Sequence, residues 1–306
     1  MSPQINKRMG FNEWLLLIFL SAIWGGSFFF IKIILTELQP LTIVLSRVSM
    51  GAIVLLLAVR LSGYRMPSDL KIWGSFLFMG LLNNLIPFSL ISWGQTQISS
   101  SLASILNATT PVWTVLLAHF LTKDEKLTKN RLGGVIFGLL GVVIMIGWNA
   151  LGGLSINTLA QLAVIGAAIS YGFAGIYGKR FKDLPPIVTA AGQITGTAIM
   201  AIPITMMIDK PWLYPMPGLK VWAAMFGLAL LSTALAYIIY FRLLTTAGAT
   251  NLLLVTFLVP VSAILLGTII LGEQLLLRHI LGMIMIGLSL AAIDGRVLNI
   301  FRRNSV

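Results

Sequence analysis

Ten apolar runs of about twenty residues, separated by short charged or turn-forming breaks, constrain this chain more than any other feature. They cover about 14–35, 40–61, 72–94, 99–121, 131–148, 159–179, 186–208, 219–241, 248–271 and 279–297. In an α-helix, a run of ~20 residues spans the ~30 Å hydrocarbon core of a bilayer. Of the 306 residues, 58% are hydrophobic and 10% charged, whereas soluble domains hold roughly 45–50% apolar and ~25% charged residues. The runs are rich in Leu and Gly and lack the alternation of barrel strands, and a helix satisfies its own backbone in lipid. The expectation is an all-α membrane protein with ten transmembrane helices.

Charge sets the orientation. Outside the runs, sixteen lysines and arginines fall on the side of the N-terminus and three, Lys210, Lys220 and Arg278, on the other. Basic residues favour cytoplasmic loops, which places both termini in the cytoplasm. The net charge of +12 is scattered between spans and not gathered on one face, so a nucleic-acid partner is not expected. Lys7 and Arg8 precede the first run as in a signal peptide, but that run continues to Leu35 without a small-residue cleavage site and reads as a spanning helix. Cys is absent, and His119 and His279 have no metal-type spacing, so neither a metal nor another cofactor is expected. All nine acidic residues lie in loops or near run ends, which disfavours both an intramembrane enzyme and a carboxylate proton relay at the midplane.

The two halves of the chain repeat. Trp24-Gly25 followed by Lys32 matches Tyr171-Gly172 followed by Lys179, and Pro40 and Pro186 each open a run with Arg47 and Gln193 seven residues on. Gly80 stands thirteen residues before Trp93, as Gly227 does before Tyr240; Pro111 matches Pro260, and Glu125 with Gly134 matches Glu273 with Gly282. Five spans per copy is an odd number, so the second copy enters the membrane from the opposite side. The expected organisation is a cytoplasmic segment 1–13, a first five-helix repeat 14–149, an inverted second repeat 150–297 and a cytoplasmic tail 298–306. Inverted halves around a central cavity suit a carrier of small molecules that exposes a midplane site to each side in turn. A channel or a structural membrane protein is the competing class.

Polar groups are costly in lipid and face a cavity or a partner helix. Ser100, Ser104, Asn107, Pro111 and Thr114 form one stripe at helical spacing, read either as cavity lining led by Asn107 or as helix-to-helix hydrogen bonding. Thr233 and Tyr237 share a face with Tyr240, and Asn84 lies on the counterpart run with Trp93. Aromatic rings with polar tips suit an amphipathic solute, while Trp93 and Tyr240 also fit an interfacial belt. Trp24 and Tyr171, both mid-span, read as gate or cavity wall, or as plain packing. Gly25 and Gly172 permit close approach, and Pro87, Pro111 and Pro260 each remove a helical hydrogen bond; these are candidate gate or hinge positions. Arg47, seven residues inside its run, reads as a carboxylate contact or as a structural cation, and Lys32 is expected to snorkel toward headgroups. Gly134 with Gly138 and Gly192 with Gly196 have small-residue spacing that packs helices within a monomer.

The W-G-x-x-F pattern from Trp24 to Phe28, the proline-then-arginine run from Pro40 to Arg47, and the P-V…E…R…G ends of each half resemble the EamA-type branch of the drug/metabolite transporter superfamily across nearly the whole chain. The chain is also similar to the YddG-like bacterial amino-acid and metabolite exporters. That resemblance implies a ten-helix basket in a bacterial-type inner membrane, exporting amino acids, aromatic or other neutral ones, or related metabolites; drug-like cations are the alternative cargo. An arginine at the Arg47 position is a habit of the family across varied substrates, which puts its structural role first. The second half departs by carrying Tyr171 for Trp24 and Gln193 for Arg47, so the two gates are expected to differ in chemistry.

Overall fold

The computed structural model of the chain describes residues 9–122, 127–147, 155–247, 251–252 and 254–294, and among them every regular element is helical. The expected tail 298–306, the junction between 149 and 150, and Glu125 lie outside the described residues. Seven helical runs are long and apolar enough to cross a bilayer: Phe11–Ile34, Pro40–Leu61, Leu70–Gly94, Ser100–Leu121, Ile156–Phe181, Pro186–Ile208 and Leu219–Tyr240. Three shorter apolar helices, Asn130–Ile146, Val255–Leu271 and Leu277–Ile293, accompany them. At 1.5 Å per residue each reaches about 26 Å, a little under a ~30 Å core. The chain is a multi-pass membrane protein, and side chains such as Ile53, Leu57, Phe137, Val261 and Ile269 stay exposed on its surface, where lipid is the fitting solvent.

The helices are α1 (Phe11–Ile34), α2 (Pro40–Leu61), α3 (Leu70–Gly80), α4 (Ile86–Gly94), α5 (Ser100–Asn107), α6 (Thr110–Leu121), α7 (Lys129–Ile146), α8 (Ile156–Tyr177), α9 (Pro186–Ile208), α10 (Leu219–Phe226), α11 (Ala236–Thr246), α12 (Val255–Leu271) and α13 (Leu277–Asp294). Their starts are written locally. Pro40 and Pro186 sit in the first turns of α2 and α9, where the missing N–H costs nothing. The side chains of Asp69, Ser99, Thr128 and Ser155 accept from backbone N–H groups two or three residues on, as good N-caps do.

Two transmembrane runs are interrupted by π-helical stretches, Leu81–Leu85 between α3 and α4 and Gly227–Leu235 between α10 and α11. The wider turn frees backbone carbonyls that need other donors. The hinge candidates differ in form. Pro111 opens α6 just after a two-residue turn at Ala108 and Thr109 that ends α5, Pro87 opens α4 directly after the first π stretch, and α12 runs through Pro260 without a break.

Packing pairs α1 with α12 and α8 with α6, α3 with α9 and the second π stretch with α2, α4 with α8 and α11 with α1. Two further pairs, α2 with α9 and α7 with α13, join elements of opposite expected repeats. A Cβ on Gly25 would lie 2.6 Å from Ser262 Cβ and 2.8 Å from Val259 O, and one on Gly172 would lie 3.2 Å from Thr114 N. Equivalent glycines thus seat α1 on α12 and α8 on α6. The glycine pairs on α7 and α9 are filled from within the chain, by Ser289 and Ile293 of α13 and by Phe76 and Leu77 of α3. Two buried cores result, one centred on α1, α5, α8 and α12 and the other on α2, α3 and α9.

Candidate functional site

The polar side chains of the interior gather where the two π stretches face α2 and α9. Arg47 on α2 is 8% exposed; its Nε donates to Thr233 Oγ1 at 2.8 Å and its Nη2 to Ser232 O at 3.4 Å. Its guanidinium lies over the Phe88 ring, 3.8 Å from the centroid, a cation–π contact that gains strength out of water. Gly51, one helical turn on, makes room: a Cβ there would lie 3.0 Å from Thr233 Cγ2. Thr233 Oγ1 in turn donates to Leu228 O at 3.0 Å, a carbonyl of its own π stretch.

The first π stretch answers with asparagines. Asn83 Nδ2 donates to Gln193 Oε1 at 3.0 Å and to Tyr237 OH at 3.3 Å. Tyr237 OH donates to Asn84 Oδ1 at 3.2 Å, and Asn84 Nδ2 donates to Thr197 Oγ1 at 3.2 Å. Thr197 Oγ1 shares its proton between Gln193 O at 2.8 Å and Gly80 O at 3.1 Å. Arg47 therefore reaches the π stretch of the other expected repeat, and its sequence counterpart Gln193 does the same in reverse. Two serines complete the pattern: Ser170 Oγ donates to Leu82 O at 2.6 Å and Ser232 Oγ to Ile23 O at 2.8 Å. A satisfied network of this kind fixes a unique arrangement of helices, because any member left bare in low dielectric is expensive.

Among the residues singled out from sequence, Arg47, Asn84, Thr233 and Tyr237 belong to this cluster. Tyr171 packs at the seam between the two cores. Trp24 stands beside Tyr240, ring centroids 5.7 Å apart, a pairing within the first core. Asn107 is not in the network; it ends α5, and its Oδ1 is buried without a hydrogen-bond partner. Ser100 and Ser104 of the same stripe are fully buried, and Ser104 Oγ donates to Ser101 O at 2.7 Å. Lys32 departs from expectation. Its Nζ donates to Gln95 O at 2.8 Å and Ile98 O at 3.1 Å, so it turns inward to cap the carbonyls at the end of α4 instead of snorkelling. Asn83, Gln193, Thr197 and Ser232 were not picked out as site residues, although two adjacent asparagines inside an apolar run are a visible signal of an interior face.

No group of three or more His, Asp or Glu side chains converges among the described residues as a metal site would require. A surface groove of 810 Å3 lies elsewhere, at the Arg60 end of α2, lined by Tyr64, Arg65 and Met66 among others.

Two segments, residues 12–147 and 158–293, each match the model of the EamA-like transporter family. The chain belongs to that family. This EamA-like transporter is 26% identical over 275 residues to a protein of Bacillus subtilis described as the uncharacterized transporter YoaV, with 88% of this chain and 92% of the relative covered. It is 29% identical over 255 residues to the Escherichia coli protein described as the uncharacterized inner membrane transporter YedA, with 83% and 81% covered. A solved crystal structure shares the fold, with a TM-score of 0.64 at 18% identity over 90% of this chain and 96% of the other.

Tyr237→Phe removes one hydroxyl that links Asn83 and Asn84, leaving the Oδ1 of the buried Asn84 without that donor at a cost of about 1–3 kcal/mol. The expected result is a several-fold lower transport rate per inserted molecule with unchanged membrane yield, measured by flux normalised to protein.

Proposed function

We propose that this EamA-like transporter exports amino acids, aromatic or other neutral ones, or closely related carboxylate-bearing metabolites, from the cytoplasm by alternating access. The observation that carries the reading is Arg47: a buried guanidinium whose bonding partners are a hydroxyl, a carbonyl and an aromatic ring. Buried charges are costly unless paired, and a substrate carboxylate supplies the missing counter-charge. Tyr237, in the same cluster, and Tyr171 and Trp24, packed on the first core, offer ring faces and polar tips for the rest of an amphipathic solute. Drug-like cations are disfavoured at this site by the same positive charge.

The transport geometry we propose is ten spans in two inverted five-helix repeats, 14–149 and 150–297, with both termini cytoplasmic, acting as a monomer in a bacterial-type inner membrane. The helix pairings support two equivalent halves, because α1 on α12 and α3 on α9 have counterparts in α8 on α6 and the second π stretch on α2; the odd number of spans per half supplies the inversion. Export runs without a carboxylate proton relay; the acids Glu37, Asp209 and Glu273 are engaged at helix ends by backbone N–H groups.

A panel of toxic amino-acid analogues tests the cargo. Expression in a sensitive host is expected to raise tolerance to aromatic or neutral analogues several-fold and to lower their intracellular pools. Unchanged tolerance and unchanged pools across the panel would remove the amino-acid reading.

A further inference from the structure

On one face of the molecule three carboxylates tie helix ends of the two halves together. Glu37, just beyond α1, accepts from Gly218 N at 2.6 Å at the start of α10. Asp209, just beyond α9, accepts from Thr42 N at 2.7 Å and Thr42 Oγ1 at 3.0 Å in the first turn of α2. Glu273, beyond α12, accepts from Ser100 N at 2.7 Å, Ser101 N at 2.9 Å and Ser101 Oγ at 2.6 Å at the start of α5. Each carboxylate sits at the C-terminal end of one helix and grips the N-terminus of another, where the backbone N–H groups and the helix dipole favour a negative charge. Each also joins residues 14–149 to residues 150–297. The short α1–α2 turn and the Lys32 bonds to Gln95 O and Ile98 O place all three on one face. At the other end of the helices, Glu13 and Asp69 cap only their own helices.

The Glu273 clamp is built into its own helix end. Gly272 takes a left-handed conformation at φ 67°, which an L side chain adopts at a cost, and the N–H groups of Gly272 and Glu273 both donate to Gly267 O. The chain thereby doubles back, and the Glu273 carboxylate passes over Gly267, where any Cβ would overlap both Glu273 Oε2 and Ser101 Oγ.

We propose that these three carboxylates are the latch of the gate opposite the cytoplasm, with Glu273 its strongest element, and that the gate opens only when they release the helix N-termini. The inference rests on the carrier reading above but is tested without transport. The chain has no Cys, so a thiol introduced as Ser104→Cys, one turn behind the Glu273 grip and fully buried, is a lone reporter. Its labelling by a membrane-impermeant maleimide is measured in intact cells and in inside-out vesicles, with and without Glu273→Gln. Losing charge-assisted hydrogen bonds is expected to raise the labelling rate in intact cells about tenfold or more, and Asp209→Asn is expected to raise it in the same direction. A rise confined to inside-out vesicles supports a latch but overturns its placement opposite the cytoplasm. Unchanged labelling on both sides in a folded, membrane-inserted variant overturns the latch, and Asp209→Asn decides the case if Glu273→Gln does not accumulate. Neither readout depends on the cargo, so absence of amino-acid flux would count against the carrier reading alone.

Discussion

Arg47→Gln is expected to lower transport of a carboxylate-bearing substrate by about a hundredfold while the protein still inserts and stays monodisperse. Truncating one partner of a buried, hydrogen-bonded charge pair costs about 2–5 kcal/mol, and each ~1.4 kcal/mol is a factor of ten. Glutamine is the informative replacement because the second half carries Gln193 at the matching position, where it already bonds a π stretch. The swap therefore removes the charge with little insult to the packing. Arg47→Lys keeps the charge but loses the flat contact on Phe88 and the Nε bond to Thr233, and an intermediate loss is expected, since lysine does not reproduce a planar fork. Initial flux per inserted molecule is the measurement. Flux in the Gln variant within twofold of the parent would assign Arg47 to structure and take the carboxylate out of the account.

Gly25→Ala is expected to lower the thermal midpoint by about 5 °C, and Gly26→Ala to leave it nearly unchanged. Overpacking costs about 1–3 kcal/mol, and each kcal/mol shifts Tm by roughly 2–4 °C in a chain of this size class. At Gly25 the added methyl meets the backbone of α12, Val259 O and Ala263 N at 2.8 Å, as well as Ser262 Cβ at 2.6 Å. Backbone cannot rotate away. At Gly26 the nearest atoms are side-chain carbons of Leu266 and Phe30 at 3.8 Å, an ordinary contact. Fluorescence-detected size exclusion after heating compares the two, and equal midpoints would contradict the close seating of α1 on α12.

The sequence was informative wherever a physical constraint acts locally. Apolar runs mark the helices because lipid demands them, and Pro40 and Pro186 mark helix starts because proline lacks an N–H, whereas Pro111, read as a hinge within one run, opens a separate helix. Gly25 and Gly172 could be paired across the halves before their packing partners were known. The π stretches were not legible. Leu81–Leu85 and Gly227–Leu235 mix leucines with Asn, Gly, Ser and Thr in no pattern that sets a π turn apart from an α turn, and the donors to their carbonyls, Ser170 and Arg47, arrive from distant helices. Helix propensity has no access to that information.

Charged residues near helix ends take partners that local sequence does not specify. Lys32 has a flexible stem that reaches outward to headgroups or inward to carbonyls with equal ease, and only the position of α4 decides between them. Glu273 looked like a loop acid, because nothing near it in sequence announces the N-terminus of α5. The polar cluster was half visible: Asn84, Thr233 and Tyr237 stood out as single polar residues in apolar runs, while Gln193 was noticed only as the counterpart of Arg47. What joins them is tertiary.

The central claim, that this EamA-like transporter carries amino acids through a site built on Arg47, is tested most directly by counterflow. Liposomes holding the purified protein are loaded with an unlabelled neutral or aromatic amino acid, the pH and sodium gradients are collapsed, and entry of the labelled compound is followed. The account predicts saturable transient accumulation with the parent protein and almost none with Arg47→Gln. Tracer entry no greater than into protein-free liposomes, across the amino-acid panel, would contradict it.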